Sequence, residues 1–259
     1  MTLVIFVTRK GLLTMYDNIK YYPSGDSGLI LEFGNKISKD VNKKIRALSY
    51  CIEKENLDQI IEIIPTYTTI LIVYDPIKSL YGELVEKLKS IEKSMKNIKL
   101  PPAEVVHIPT LYGGEYGMDL ENVAEHNGLT VSEVINIHSS TKYLVYMIGF
   151  TPGFPYLGGM SEKIATPRLK IPREKIPGGS VGIAGSQTGI YPIDSPGGWQ
   201  IIGRTPLKLF DSKRNPSVLL KAGQYLKFES VNEERYQTIC EEIMKNKYEP
   251  KRTKLKGGE

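Results

Sequence analysis

Residues 149–203 hold 12 of the chain's 24 glycines and 7 of its 16 prolines. Glycine serves where the backbone must reach φ > 0 or pass close to another group, and proline fixes φ while removing a donor. A stretch this rich in both excludes a helix and an ordinary regular sheet, and specifies rigid turns. A flexible linker shares the small residues but not the aromatic ones. Here Phe150, Phe154, Tyr156, Tyr191 and Trp199 have to be buried or to touch a ligand. The stretch reads as a rigid binding surface.

The rest of the chain is that of an ordinary globular protein. Its 259 residues suggest two domains, each able to bury a core. With 41% hydrophobic and 24% charged residues, no apolar run approaches the roughly 18 residues that span a bilayer. The run Leu3 to Val7 is too short for a signal-peptide core, and its cations Arg9 and Lys10 follow instead of preceding it. Residues 1–18 are therefore expected to be an extension, with Met15 as an alternative start. Cys51 and Cys240 are too few and too far apart for a disulfide framework, so a cytoplasmic location is expected. The net charge of +5 is concentrated in residues 245–259, where six cations face only Glu249 and Glu259. What remains is too nearly neutral for a nucleic-acid face. The tail is expected to be solvated and disordered.

Two periodicities divide the chain. Leu29–Phe33 reads as a strand, followed by the helical stripe Val41, Ile45, Leu48 and Ile52 behind Ser38 as N-cap. Ile60–Ile64 and Thr69–Tyr74 read as antiparallel strands, Leu80, Leu84, Leu88 and Ile91 as a second helix, and Val105–Ile108 as a last strand. The order βαββαβ is the split-βαβ, ferredoxin-like arrangement, assigned to residues 19–109. Residues 110–235 open with a helical pair, closed first by Asn127-Gly128 and reopened by the capping box Thr130-x-x-Glu133. The second helix lacks Arg and Lys, which argues against a DNA-reading helix-turn-helix. Short strands at Tyr143–Ile148, Ser180–Ala184, Gln200–Gly203, Leu207–Phe210, Val218–Leu220 and Tyr225–Glu229 predict a β-barrel. Residues 236–259 are assigned to a helix end and the basic tail. The fold class expected is α+β.

Several chemistries are excluded by context. Gly178-Gly179-Ser180-Val181-Gly182 matches G-x-S-x-G, but no helix follows Ser180, and His107, His126 and His138 all precede it. The glycines lack the GK[ST] of a phosphate loop and the strand-to-helix switch of a dinucleotide fold. The dispersed His and Cys residues carry no metal-ligand spacing, so no metal site is expected. An inventory for anions and carbonyls remains. Arg168, Lys170, Arg173 and Lys175 lie within eight residues, braced by prolines 167, 172 and 177 and opposed locally by Glu174 alone. Ser180, Gln187 and Thr188 add donors. Trp199, Tyr191, Phe150 and Phe154 offer ring surfaces, and His138 is the remaining candidate base.

Consecutive motifs carry a family resemblance: YGGEYGMDLENVA (Tyr112–Ala124), GLTVSEVINIH (Gly128–His138), YMIGFTPGFPYLGG (Tyr146–Gly159), PRLKIPREKIPGGSVGIAG (Pro167–Gly185) and QTGIYPIDSPGGWQIIGRTPLKLFD (Gln187–Asp211). With GDSGLILEFG (Gly25–Gly34) and VYDP (Val73–Pro76), they resemble the 5-oxoprolinase B-subunit family, also called allophanate hydrolase subunit 1 or KipI-like. Gly178 stands where the family usually has Ala, and Leu111 replaces a commoner small or β-branched residue. The resemblance implies an N-terminal α/β domain and a C-terminal cyclophilin-like β-barrel. It implies work with the A and C subunits of that enzyme, opening the 5-oxoproline lactam to L-glutamate with ATP, expected with Mg as co-substrate. Other branches form the carboxyltransferase part of urea carboxylase, or inhibit a sporulation histidine kinase by binding it. Under the first reading Arg168, Arg173 and Lys175 would neutralise a transferring phosphate, and Ser180, Gln187 and Thr188 would orient carbonyl or nucleotide. Neither a nucleic-acid nor a membrane partner is expected.

Overall fold

The computed structural model describes residues 14–95, 98 and 100–255, so the readings of residues 1–13 and of the last four residues lie outside it. The chain forms two units divided between Leu100 and Pro101.

The first unit comprises β1 (Met15–Ser24), β2 (Gly28–Gly34), α1 (Lys39–Glu55), β3 (Ile60–Pro65), β4 (Thr69–Tyr74) and α2 (Tyr81–Ser94). Helix α1 starts as its local chemistry dictates: the Ser38 hydroxyl accepts the Val41 N–H at 3.2 Å. Its stripe Val41, Ile45 and Leu48 packs in one core with Leu84 and Leu88 of α2 and with alternate residues of the sheet. The sheet is antiparallel throughout, in the order β1-β2-β4-β3. The neighbours β2, β4 and β3 are those of a split βαβ. The fourth place, beside β2, is filled by β1, which precedes it in the chain. The strand expected there, Val105–Ile108, belongs to the second unit, so the units divide at 100/101 and not at 109/110. Apolar alternation marks a strand but not its partner.

The second unit contains β5 (Glu104–Tyr112), α3 (Leu120–Asn127), α4 (Val131–Ser140), β6 (Lys142–Ile148), β7 (Pro155–Gly158), β8 (Arg173–Ile176) and β9 (Ser180–Ala184). There follow β10 (Gln187–Ile190), β11 (Ser195–Gly197), β12 (Gln200–Arg204), β13 (Tyr225–Ser230), α5 (Glu233–Met244) and β14 (Arg252–Lys254). Its main sheet runs β10-β9-β12-β5-β13-β6-β7, and its end strands β7 and β10 lie against each other, so it is a nearly closed barrel. Val106, Ile108, Val145, Val181, Ile202 and Phe228 fill the core. The overall class is therefore mixed α+β, a small antiparallel sheet followed by a barrel. Between α3 and α4 the capping box forms as expected, Glu133 Oε2 accepting the Thr130 N–H at 2.8 Å and Thr130 Oγ1 accepting the Glu133 N–H at 3.2 Å.

Three expectations are corrected here. The glycine- and proline-rich stretch carries regular sheet beyond the two strands expected in it: besides β9 and β12, β10 is a strand of the barrel. Leu207–Phe210 and Val218–Leu220 are not strands; they meet in one isolated bridge, Phe210 to Val218. The basic tail is ordered as far as Lys254, because β13 covers one edge of β5 while β14 and β12 share the other. Arg252 closes that pairing with a 2.7 Å ion pair to Glu104, and Thr253 Oγ1 lies 2.9 Å from His107 Nε2. Cys51 and Cys240 are free thiols, and no described helix is long and apolar enough to cross a membrane.

Candidate functional site

The β9–β10 hairpin forms the floor of the site. Gly182 and Gly189 face each other across it, and both lack a side chain because Trp199 lies there. A Cβ on Gly189 would sit 3.0 Å from Trp199 Cζ3, and one on Gly182 would sit 3.2 Å from Trp199 Cβ. Around the indole, Phe154 stands edge-on to Trp199 at 6.1 Å and to Tyr191 at 6.4 Å, and Tyr191 and Trp199 are 6.0 Å apart. Phe150 continues the series, 6.2 Å from Phe154, but is 87% exposed.

The four cations, equivalent in sequence, separate in the fold. Arg173 Nη2 bonds Asp119 Oδ1 at 2.7 Å, and the other oxygen of Asp119 accepts the Ile201 N–H at 2.6 Å. Lys175 pairs with Asp194 at 2.9 Å, and Asp194 also accepts the Gly178 N–H, so these two contacts hold its carboxyl below the usual range. Arg168 and Lys170 are exposed, and neither has a carboxylate partner among the described residues. The backbone of Arg168 is nevertheless fixed on both sides. The Pro167 carbonyl accepts from Gln200 Nε2 at 2.9 Å, and the Leu169 N–H donates to Gly198 O at 2.7 Å. The Tyr191 phenol senses both guanidinium groups: burial pushes its pKa up, while the Trp199 N–H, Arg168 and Arg173 act against that rise. The arrangement is an exposed guanidinium on a braced backbone, near enough to the Tyr191 phenol to act on it electrostatically, and such a group can pair with a carboxylate or phosphate.

The other sequence candidates lie elsewhere. His138 is fully buried, and burial pushes its pKa down to about 3. Its Nδ1 is 2.7 Å from Tyr112 Oη and its Nε2 2.8 Å from Thr188 Oγ1, while Thr188 itself donates to Gly182 O at 3.0 Å. This fixes a neutral ring with the proton on Nε2, donating to Thr188 and accepting from Tyr112. His138 and Thr188 thus tie α4 to the hairpin. Ser180 is fully buried and Gln187 exposed near the hairpin turn. Asp119 and Gln200, which position Arg173 and Arg168, were not among the sequence candidates. Asp119 directly precedes a helix and so passes for an N-cap, yet its side chain makes no cap bond.

Fold and site together define a class: a family model described as carboxyltransferase domain, subdomain C and D, matches residues 19–220. The B subunit of 5-oxoprolinase from Bacillus subtilis (strain 168) is 44% identical over 84% of this chain and 95% of its own length. That of Escherichia coli O157:H7 is 38% identical over 80% and 94%. The chain belongs to the 5-oxoprolinase B-subunit family. The crystal structure of Kluyveromyces lactis urea carboxylase, 20% identical, superposes with a TM-score of 0.69 over 97% of this chain and 25% of that one, which shows the shared fold.

Proposed function

We propose that the chain is the B subunit of an ATP-dependent 5-oxoprolinase, opening 5-oxoproline to L-glutamate in the cytoplasm together with the A and C subunits. The observation that carries this reading is Arg168, braced at Pro167 and Leu169, near Tyr191 and without a carboxylate partner among the described residues. A lactam resists water. Transfer of the ATP γ-phosphoryl group to the lactam oxygen, releasing ADP, activates the ring carbon; water adds there, the C–N bond breaks with the nitrogen leaving as the amine, and further water hydrolyses the resulting acyl phosphate to the carboxylate and inorganic phosphate. Arg168 binds the carboxylate of the substrate or the transferred phosphoryl group. Arg173 and Lys175, already neutralised by Asp119 and Asp194, are positioning residues. One guanidinium does not hold a triphosphate and its Mg²⁺, so the remaining nucleotide contacts come from the companion subunits.

The test is to combine the purified chain with the A and C subunits and measure ADP release. Release that depends on 5-oxoproline and on this chain supports the reading. Its absence from a mixture of folded, associated proteins overturns it.

A further inference from the structure

Ser180 and Arg204 are opposed residues of β9 and β12, so their side chains leave the same face of the sheet side by side. That face is the outer one: Val181 points into the barrel core, while Ser180 shares its side of β9 with Gly182, over which Trp199 lies. Ser180 is fully buried, and its hydroxyl has no hydrogen-bond partner among the described residues. Arg204 Nε is equally shut off from water and equally without an acceptor among them. Leaving a hidden donor of a charged group unmet is costly, and each such group calls for a partner.

The guanidinium is held by rings instead of carboxylates. Its carbon lies 5.3 Å from the Tyr116 ring centroid, and the Tyr116 and Tyr236 centroids are 5.0 Å apart. Burial pushes the Tyr236 phenol up to about 12, with Arg204 acting against the rise, so that hydroxyl stays neutral beside the cation. Asp194 also feels Arg204, but its two oxygens are engaged by the Gly178 N–H at 2.8 Å and Lys175 Nζ at 2.9 Å. Among the described residues no carboxylate pairs with Arg204.

We propose that Arg204 and Ser180 form a second oxyanion site, taking a carboxylate or phosphate oxygen between guanidinium and hydroxyl, with the Tyr116 ring fixing the guanidinium plane. The class of ligand follows from the donors: a guanidinium only donates and a hydroxyl adds one more donor, so what fits them is an acceptor carrying negative charge. Arg204 is only partly buried, which makes the group reachable from solvent. Stacking on Tyr116 already orders the side chain, so less freedom is lost when the anion binds. The inference stands on these residues alone and goes beyond the reading of Arg168.

The experiment is calorimetric titration of the full chain by itself at low ionic strength, with inorganic phosphate in one arm and 5-oxoproline in the other, which separates a phosphate source from a carboxylate source. Saturable binding of either probe that persists in Arg168→Ala and weakens at least about 10-fold in Arg204→Gln supports the site. Arg204→Lys, which keeps the charge and loses the fork, is expected to bind with intermediate affinity. Ser180→Ala removes a hydroxyl without a partner among the described residues, so its Tm is expected to be unchanged or raised while the same probe binds more weakly. Absence of saturable binding to the wild-type chain overturns the proposal, and so does binding that Arg168→Ala abolishes and Arg204→Gln leaves intact. If Arg204→Gln does not fold, the other two variants decide, and wild-type affinity in both overturns the proposal. A fall in Tm with unchanged affinity in Ser180→Ala makes the hydroxyl structural and overturns its part in the site. ADP release by the assembled subunits is a separate measurement, so the proposed function stands or falls independently of these outcomes.

Discussion

Asp119 and Arg173, 54 residues apart in sequence, meet at 2.7 Å and join the start of α3 to β8. Their side chains are 11% and 27% exposed, so the pair is largely shielded from water. Asp119→Ala leaves the guanidinium and the Ile201 N–H without their acceptor, and is expected to destabilise the second unit by about 2–4 kcal/mol. Asp119→Asn keeps an acceptor for Ile201 and is expected to lose less. Trp199 is the chain's sole tryptophan, so urea unfolding followed by its fluorescence reads this unit. An unchanged midpoint in Asp119→Ala would show that the ion pair carries no stability.

Gly189 is expected to tolerate no side chain. Alanine there places Cβ 3.0 Å from the Trp199 ring, and either the indole or the hairpin has to move. Gly189→Ala is expected to lose about 1–3 kcal/mol, as overpacked sites do, and to shift the Trp199 emission maximum. An unshifted spectrum and full stability would show that the glycine pair is not needed to seat the indole.

His138 makes the fold acid-sensitive. Burial holds its pKa at about 3, whereas the unfolded chain takes up that proton near pH 6.5. Below the unfolded value the unfolded state binds one more proton than the folded state. This contribution to stability is therefore complete above about pH 6.5 and is lost as pH falls toward 3, at about 1.4 kcal/mol per pH unit. Unfolding free energies of wild type and His138→Gln, measured between pH 7 and pH 4, are expected to converge as pH falls. Parallel curves would contradict the assignment.

Arg168 is expected to matter for activity and not for stability. It is exposed and makes no ion pair among the described residues, so Arg168→Ala is expected to change stability by less than about 0.5 kcal/mol. Loss of a charge-assisted bond of about 1.5–3 kcal/mol corresponds to a fall of about 10- to 150-fold in 5-oxoproline-dependent ADP release. Excess C subunit is not expected to rescue it. Wild-type turnover by Arg168→Ala would place the anion site elsewhere.

Features set by near neighbours were legible in the chain. Ser38 at the start of α1 and the Thr130–Glu133 box at the start of α4 each involve residues three apart. The strands at β2, β3, β4, β6, β9, β12 and β13 follow from runs of apolar and β-branched residues. Pairing was less accessible. Val105–Ile108 is recognisable as a strand, yet its neighbours β13 and β12 lie about a hundred residues downstream, and β14 farther still. The tail's cations have the composition of a disordered end, but Arg252 has Glu104 to meet, and only the folded chain brings the two together.

The site divides in the same way. Sequence by itself determined that residues 149–203 are dense in turns, rings and cations, because glycine and proline constrain the backbone locally. It could not rank Arg168, Lys170, Arg173 and Lys175, which share one short segment. Tertiary structure decided that, because charge is neutralised through space: Asp119 takes Arg173, Asp194 takes Lys175, and Arg168 is left braced and without a carboxylate partner among the described residues.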